Sequence, residues 1–211
     1  MKQEKEKMTL APERKALPTT QKLFVDRWSP RAFSSAEISV EEVESLFDAA
    51  RWAPSAYNSQ PWRFMYARRG TAVWEKFLSW LVPFNQSWAS QASVLVYVVS
   101  ETHMLSPSGE KVISSTHAYD CGAAAMLLQL QATATGWAAH SMSGFDNEAA
   151  LKGLALPEGY AVHCAIAIGR QGNVQNLPEG LQAREKPSDR SPLSVLAWEG
   201  VFSDGPSGDA G

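Results

Sequence analysis

The run Val94 to Val99, VLVYVV, constrains the chain more than any other segment. It is apolar on both faces and rich in β-branched residues, which is the pattern of a central strand covered above and below. A second run, Ala161 to Ile168 (AVHCAIAI), reads the same way and stops before Gly169. Strands of this kind need helices on both sides of their sheet, so the rest of the chain must supply them.

It does. Ser39 with Glu42 three residues on forms a capping box, and Val43, Leu46, Phe47 and Ala50 follow at i, i+3, i+4 and i+7 until Pro54 stops the run. Trp62 to Ala67 is a short aromatic-rich strand, and Trp74, Phe77, Leu78 and Leu81 return to helical spacing. From about Ser115 to Thr135 a stretch of Ala, Leu, Met and Gln predicts a long helix with Gly136 just past its end. Trp137 to Met142 reads as a further strand, and Asp146 as the cap of a short helix through Leu154. The tail from Arg170 reads as extended, and its apolar group Leu193, Val195, Leu196 and Trp198 needs a cover such as a partner subunit.

Interleaved helices and strands without an internal repeat predict one layered domain over residues 19–211, preceded by a charged, loose arm over residues 1–18. With 22 acidic and 19 basic side chains the net charge is −3, which argues against a protein held on nucleic acid by overall charge. No apolar run approaches the roughly 20 residues of a membrane span and the N-terminus lacks an apolar leader core, so the expected location is the cytoplasm. Cys121 and Cys164 sit in apolar surroundings and read as buried thiols; no zinc spacing is present.

Four polar clusters remain for chemistry. Asp26 to Phe33, DRWSPRAF, brings Arg27, Ser29 and Arg31 within five residues, which suits a phosphate; surface arginines paired with Asp26 or Glu37 are the alternative. Pro54 to Trp62, PSAYNSQPW, is a loop whose prolines hold Ser55, Asn58, Ser59 and Gln60 beside Trp62, either for a planar polar ligand or as a turn-rich connection. In Ser141 to Asp146, SMSGFD, Gly144 permits close backbone approach, or the segment is an ordinary strand-to-helix turn. Arg184 to Pro192, REKPSDRSP, offers Arg190 as a second phosphate donor or is a solvated loop. The signatures of serine hydrolases, P-loop phosphoryl transfer and Rossmann dinucleotide binding are missing, and the four histidines lack metal-ligand spacing.

Taken in order, RxSxR, PSAxNxQPW, SGFD and the late arginine resemble the FMN-dependent nitroreductase family. The likeness runs from about Phe24 to Leu196 and is densest over AARWAPSAYNSQPWRF, Ala49 to Phe64. It implies an α+β fold, a three-layer α/β/α sandwich on a mixed, mainly antiparallel sheet, with a C-terminal tail that reaches the partner subunit. It implies a homodimer with its sites at the interface. It also implies that Arg27, Trp28, Ser29 and Arg31 meet the phosphate and ribityl chain, that Pro54, Ser55, Asn58 and Gln60 meet the flavin from the neighbouring subunit, that Ser143 and Gly144 lie beside its N5, and that Arg190 completes the phosphate site. Ser143 stands where many relatives carry glutamate, Ser188 where many carry lysine, and Glu101 to Thr116 is short for a segment that covers the site in relatives.

The implied reaction passes a hydride from NADPH or NADH through FMN to an electron-poor acceptor such as a nitroaromatic or quinone. Here the cofactor supplies the chemistry, so no side chain is assigned as acid, base or metal ligand. Dehalogenation, enal or aldehyde reduction on the same scaffold, and an FMN carrier without turnover, are the alternative readings.

Overall fold

The computed structural model describes residues 14–203. Most of the expected N-terminal arm, residues 1–13 of 1–18, lies outside the described residues. The described residues divide into two compact units: Ala16–Lys186, and one formed by residues 14–15 with 187–203.

The larger unit is built on an antiparallel sheet of order β1-β2-β6-β5. Its strands are β1 (Trp62–Arg68), β2 (Val94–Glu101), β5 (Ala138–Met142) and β6 (Tyr160–Gly169); a separate hairpin pairs β3 (His103–Leu105) with β4 (Lys111–Ile113). β2 and β6 occupy the centre, as two runs apolar on both faces require. Tyr97 stands opposite Met65 on β1 and Ala165 on β6. Successive side chains of a strand point to opposite faces, and β2 shows this directly. Leu95, Tyr97 and Val99 belong to one apolar cluster, Val94, Val96 and Val98 to another.

Each cluster is sealed by helices. On one face lie α2 (Val40–Ala50), held at its start by the Ser39–Glu42 capping box, and the long α5 (His117–Ala134). Val43 and Leu46 of α2 and Leu128 of α5 are fully buried there, at about 1.5–3 kcal/mol of transfer free energy each. On the other face lie α3 (Trp74–Ser79), α4 (Pro83–Ala89) and α6 (Asn147–Gly153). Asp146 caps α6 by accepting from Ala149 N at 2.9 Å. Gly136 follows α5 with φ +79°, a left-handed backbone that favours glycine. A short α1 (Lys22–Asp26) precedes the basic loop.

The stretch after Arg170 corrects the expectation of an extended tail. It carries a short helix, α7 (Glu179–Gln182), and both Leu177 and Leu181 are buried with the α3 side of the core. Beyond Pro187, Leu193, Val195 and Leu196 remain exposed.

Candidate functional site

The basic loop begins where α1 ends. Asp26 is paired with Lys22 one turn back, at 2.6 Å, so its carboxylate is engaged within α1. Arg27 Nη1 donates to Ser29 Oγ at 3.2 Å, drawing the first guanidinium and the hydroxyl of RxSxR together. Pro30 O lies 3.0 Å from His140 Nδ1 on β5. Arg31 N and Ala32 N both donate to Glu185 Oε1, at 2.7 and 2.8 Å. Past the loop, Phe33 bridges to Gln171, and Gly172 N donates to Ala32 O at 2.8 Å. Trp28 is half-buried in the same loop.

α4 joins this loop to the glycine turn. Trp88, 1% exposed, sits with its ring 4.7 Å from that of His140, and the Arg31 guanidinium lies 6.0 Å from the Trp88 ring. Three residues earlier on the same helix, Asn85 donates from Nδ2 to Gly144 O at 2.9 Å, and Val82 N donates to that oxygen at 3.1 Å. A side chain at Gly144 would stand 2.7 Å from Asn85 Nδ2. The closeness that the sequence suggested for Gly144 is therefore an approach to α4. Ser143, beside it, is exposed.

Burial pushes His140 down to about 4, with the nearby Arg31 and Arg27 charges pushing the same way and the Pro30 hydrogen bond opposing. A neutral imidazole therefore backs two guanidinium groups. The loop's own positive charge is that of Arg27 and Arg31, with the Glu185 carboxylate held on the loop backbone.

The PSAYNSQPW loop is fixed separately. Ser55 Oγ accepts from Gln60 N at 3.0 Å, Asn58 N donates to Ser55 O at 3.0 Å, and Gln60 Nε2 donates to Asn58 O at 3.2 Å. Tyr57, Asn58 and Gln60 all have positive φ (53°, 54° and 47°), unusual for residues with side chains. The loop is tied down at Ala56, whose N–H donates to Asp120 Oδ2 at 3.1 Å. Asp120, 4% exposed, takes Thr116 Oγ1 on the same oxygen at 3.0 Å. Pro54, Asn58, Gln60 and the Tyr57 ring face solvent.

Arg190 belongs to the smaller unit. Its Nη1 donates to Ser188 Oγ at 2.9 Å, so the serine at the expected lysine position holds the arginine instead of adding charge. The Arg14 guanidinium lies close enough to Arg190 and Asp189 to feel both charges.

The basic loop, α4, His140 and the Gly144 turn thus form one connected cluster, while the PSAYNSQPW loop is anchored on α5 and Arg190 in the smaller unit. Sequence reading missed Asn85, Trp88, Asp120, His140 and Glu185. Burial pushes Cys121 up to about 12 and Cys164 up to about 11, so both thiols stay protonated. His117 Nδ1 and His163 Nε2 each lie 2.7 Å from the buried Ser100 Oγ. A surface cavity of about 350 Å³ is lined by Glu37, Ile38, Arg68, Arg69, Gly70, Thr71 and Ser93, none of them a sequence candidate. Arg68 and Arg69 there donate to the carbonyls of Ile38, Ser35 and Ala36, so the basic loop is the better anion site.

The donor set fits a phosphate-bearing cofactor such as FMN. Arg27, Ser29 and Arg31 supply donors from one loop, and Arg31 Nε is a buried donor without an acceptor.

Residues 25–83 and 80–170 match the model of the nitroreductase family. A Rhodopseudomonas palustris protein with the provisional name NADH dehydrogenase/NAD(P)H nitroreductase is 31% identical over 147 residues, covering 63% of this chain and 74% of its own. A Lactiplantibacillus plantarum protein named CLA biosynthesis enone reductase is 26% identical over 182 residues, covering 70% and 83%. A crystal structure described as an oxidoreductase containing FMN superposes with a TM-score of 0.88 at 43% identity, over 93% of this chain and 99% of that one.

Proposed function

The chain belongs to the nitroreductase family, and from that premise we propose that it is an FMN-dependent oxidoreductase that moves a hydride from NADPH or NADH to an electron-poor acceptor such as a nitroaromatic or quinone. The observation that carries the reading is the continuous contact from the basic loop through His140 and Trp88 to Asn85 and the Gly144 turn. It joins the residues proposed for the phosphate arm to the Ser143–Gly144 turn proposed to lie beside the flavin N5.

When bound, FMN supplies the two-electron hydride chemistry. Arg27, Ser29 and Arg31 bind the phosphate end, with Trp28 beside them. Neutral His140 holds Pro30 and adds no competing charge. Asn85 fixes the carbonyl of Gly144 and with it the turn that carries Ser143. Asp120 holds the backbone at Ala56 in the loop whose Pro54, Asn58 and Gln60 face outward, with Ser55 half-buried between them. That outward face suits a site completed by a second copy of the chain. α5 supports the same arrangement, because Tyr119 on its open side is 81% exposed. The exposed Leu193, Val195 and Leu196 are a second surface of this kind.

A conjugated carbonyl is the second acceptor class, favoured by the likeness to a protein named as an enone reductase. The test is a visible spectrum of the purified chain before and after anaerobic NADPH. A flavin spectrum that bleaches rapidly is expected, and slow bleaching identifies a carrier. A colourless protein that refuses added FMN overturns the reading. Arg27→Ala and Arg190→Ala are expected to weaken FMN retention by about 1.5–3 kcal/mol each; unchanged affinity in both removes the phosphate assignment.

A further inference from the structure

Glu185 lies 154 positions beyond Arg31, yet its Oε1 accepts from Arg31 N at 2.7 Å and from Ala32 N at 2.8 Å. Those two N–H groups belong to the peptide planes on either side of the Arg31 Cα. Fixing both planes fixes φ and ψ of Arg31, and therefore the direction in which its side chain leaves the loop. Ala32 is almost fully buried, so its N–H has no water to turn to, and its carbonyl is already engaged by Gly172 N.

The carboxylate acts on the backbone and leaves the guanidinium uncommitted. Arg31 Nε is buried without an acceptor, and Glu185 Oε2 is buried without a donor. The Arg31 guanidinium lies over the Trp88 ring, 6.0 Å away. Had the same two side chains formed a forked ion pair, the charge of Arg31 would be neutralised before any anion arrived. Glu185 itself stands on a firm base. Arg184 N and Glu185 N donate to Leu181 O and Gln182 O, continuing the turn of α7, and Leu181 is buried in the core.

We propose that Glu185 is the positioning residue of the phosphate-binding loop, a carboxylate that fixes the backbone on both sides of Arg31 and so aims its guanidinium at the ligand's phosphate. The proposal rests on the reading of Arg27 to Arg31 as phosphate donors.

The test is titration of the full-length protein with FMN and with riboflavin, which lacks the phosphate, followed by quenching of flavin fluorescence. Glu185→Ala is expected to weaken FMN binding by about tenfold or more while riboflavin changes by less than about threefold. Glu185→Gln keeps an acceptor oxygen for both N–H groups and is expected to stay within about threefold of wild type, or to bind more tightly. Equal losses for the two flavins in Glu185→Ala mean a merely structural role and overturn the proposal. So does unchanged FMN affinity, and so does tighter FMN binding by the alanine variant, which would make the carboxylate a competitor of phosphate. Should the alanine variant fail to fold, Glu185→Asp, one methylene shorter, is read by the same FMN-selective loss. Wild-type protein that binds neither flavin defeats the functional reading itself, an outcome distinct from a wild type that binds FMN and does not need Glu185.

Discussion

His140 Nδ1 lies 3.0 Å from the carbonyl oxygen of Pro30, so a histidine on strand β5 closes against the middle of the basic loop. A neutral imidazole donates this bond from Nδ1, and burial together with Arg31 and Arg27 keeps it neutral down to about pH 4. The unfolded chain takes up the proton near 6.5, the ordinary value. Between the two values the unfolded state binds more protons than the folded one, so stability falls as pH drops from about 6.5 to about 4 and no further below that. The full linkage is about 3 kcal/mol as an upper bound. Urea unfolding at pH 7 and pH 4.5 is expected to show a steeper acid loss for wild type than for His140→Gln, which keeps a donor and cannot titrate. Parallel losses would show that His140 does not carry it.

Asp120 is the hinge between α5 and the PSAYNSQPW loop. Asp120→Ala leaves Ala56 N and Thr116 Oγ1 without their shared acceptor and is expected to cost about 2 kcal/mol of stability. The loop should suffer more than the fold, because three residues with positive φ depend on the anchor. Faster proteolysis at Tyr57 in the alanine variant checks this. Asp120→Asn, whose amide oxygen can take both bonds, is expected to lose less than half as much in chemical denaturation.

Elements whose cause is local were readable in the sequence. The Ser39–Glu42 box starts α2, Asp146 caps α6, Gly136 follows α5, and the VLVYVV run lies buried at the centre of the sheet. α4 was not read from the sequence, because PFNQSWA offers a single apolar pair at helical spacing, Phe84 and Trp88, of which only Trp88 is buried. That helix is held by what it touches, His140 and Gly144. The same holds for the site. Arg27, Ser29, Arg31 and Gly144 could be named from a motif, but their supports come from afar. His140 meets Pro30 across 110 positions, Asp120 meets Ala56 across 64, and Glu185 meets Arg31 across 154. No spacing rule reaches across such separations. The hairpin β3–β4 fell in a segment noted only for its shortness, and α7 in a tail whose Gly, Pro and Asn content hid the buried Leu177 and Leu181.

Gly144→Ala tests the frame between α4 and the turn. The new Cβ would sit 2.7 Å from Asn85 Nδ2 and 3.1 Å from Val82 Cγ2. Asn85 is itself buried and is the donor to Gly144 O, so it cannot yield without breaking that bond. A loss of about 1–3 kcal/mol is expected. Thermal unfolding of the flavin-free protein reads the cost. A variant as stable as wild type would mean that the turn and α4 are not rigidly joined.

The open face of α5 gives the last test. Helices with one wet side carry polar residues there, yet Ala118, Tyr119, Gly122 and Met126 are the exposed residues among the first ten of α5. Tyr119, Gly122 and Met126 follow at i, i+3 and i+7, so they lie on one stripe. In a two-fold dimer such a stripe meets its own copy, and a charge placed on it meets a like charge from the partner. The double variant Tyr119→Glu, Met126→Glu is therefore expected to elute from gel filtration as a monomer of 23.1 kDa, with wild type at twice that mass. Because the loop that Asp120 ties to this helix is proposed to serve the neighbouring subunit, flavin retention should fall with the dimer. A monomeric double variant that keeps its FMN would place the whole flavin site within one chain.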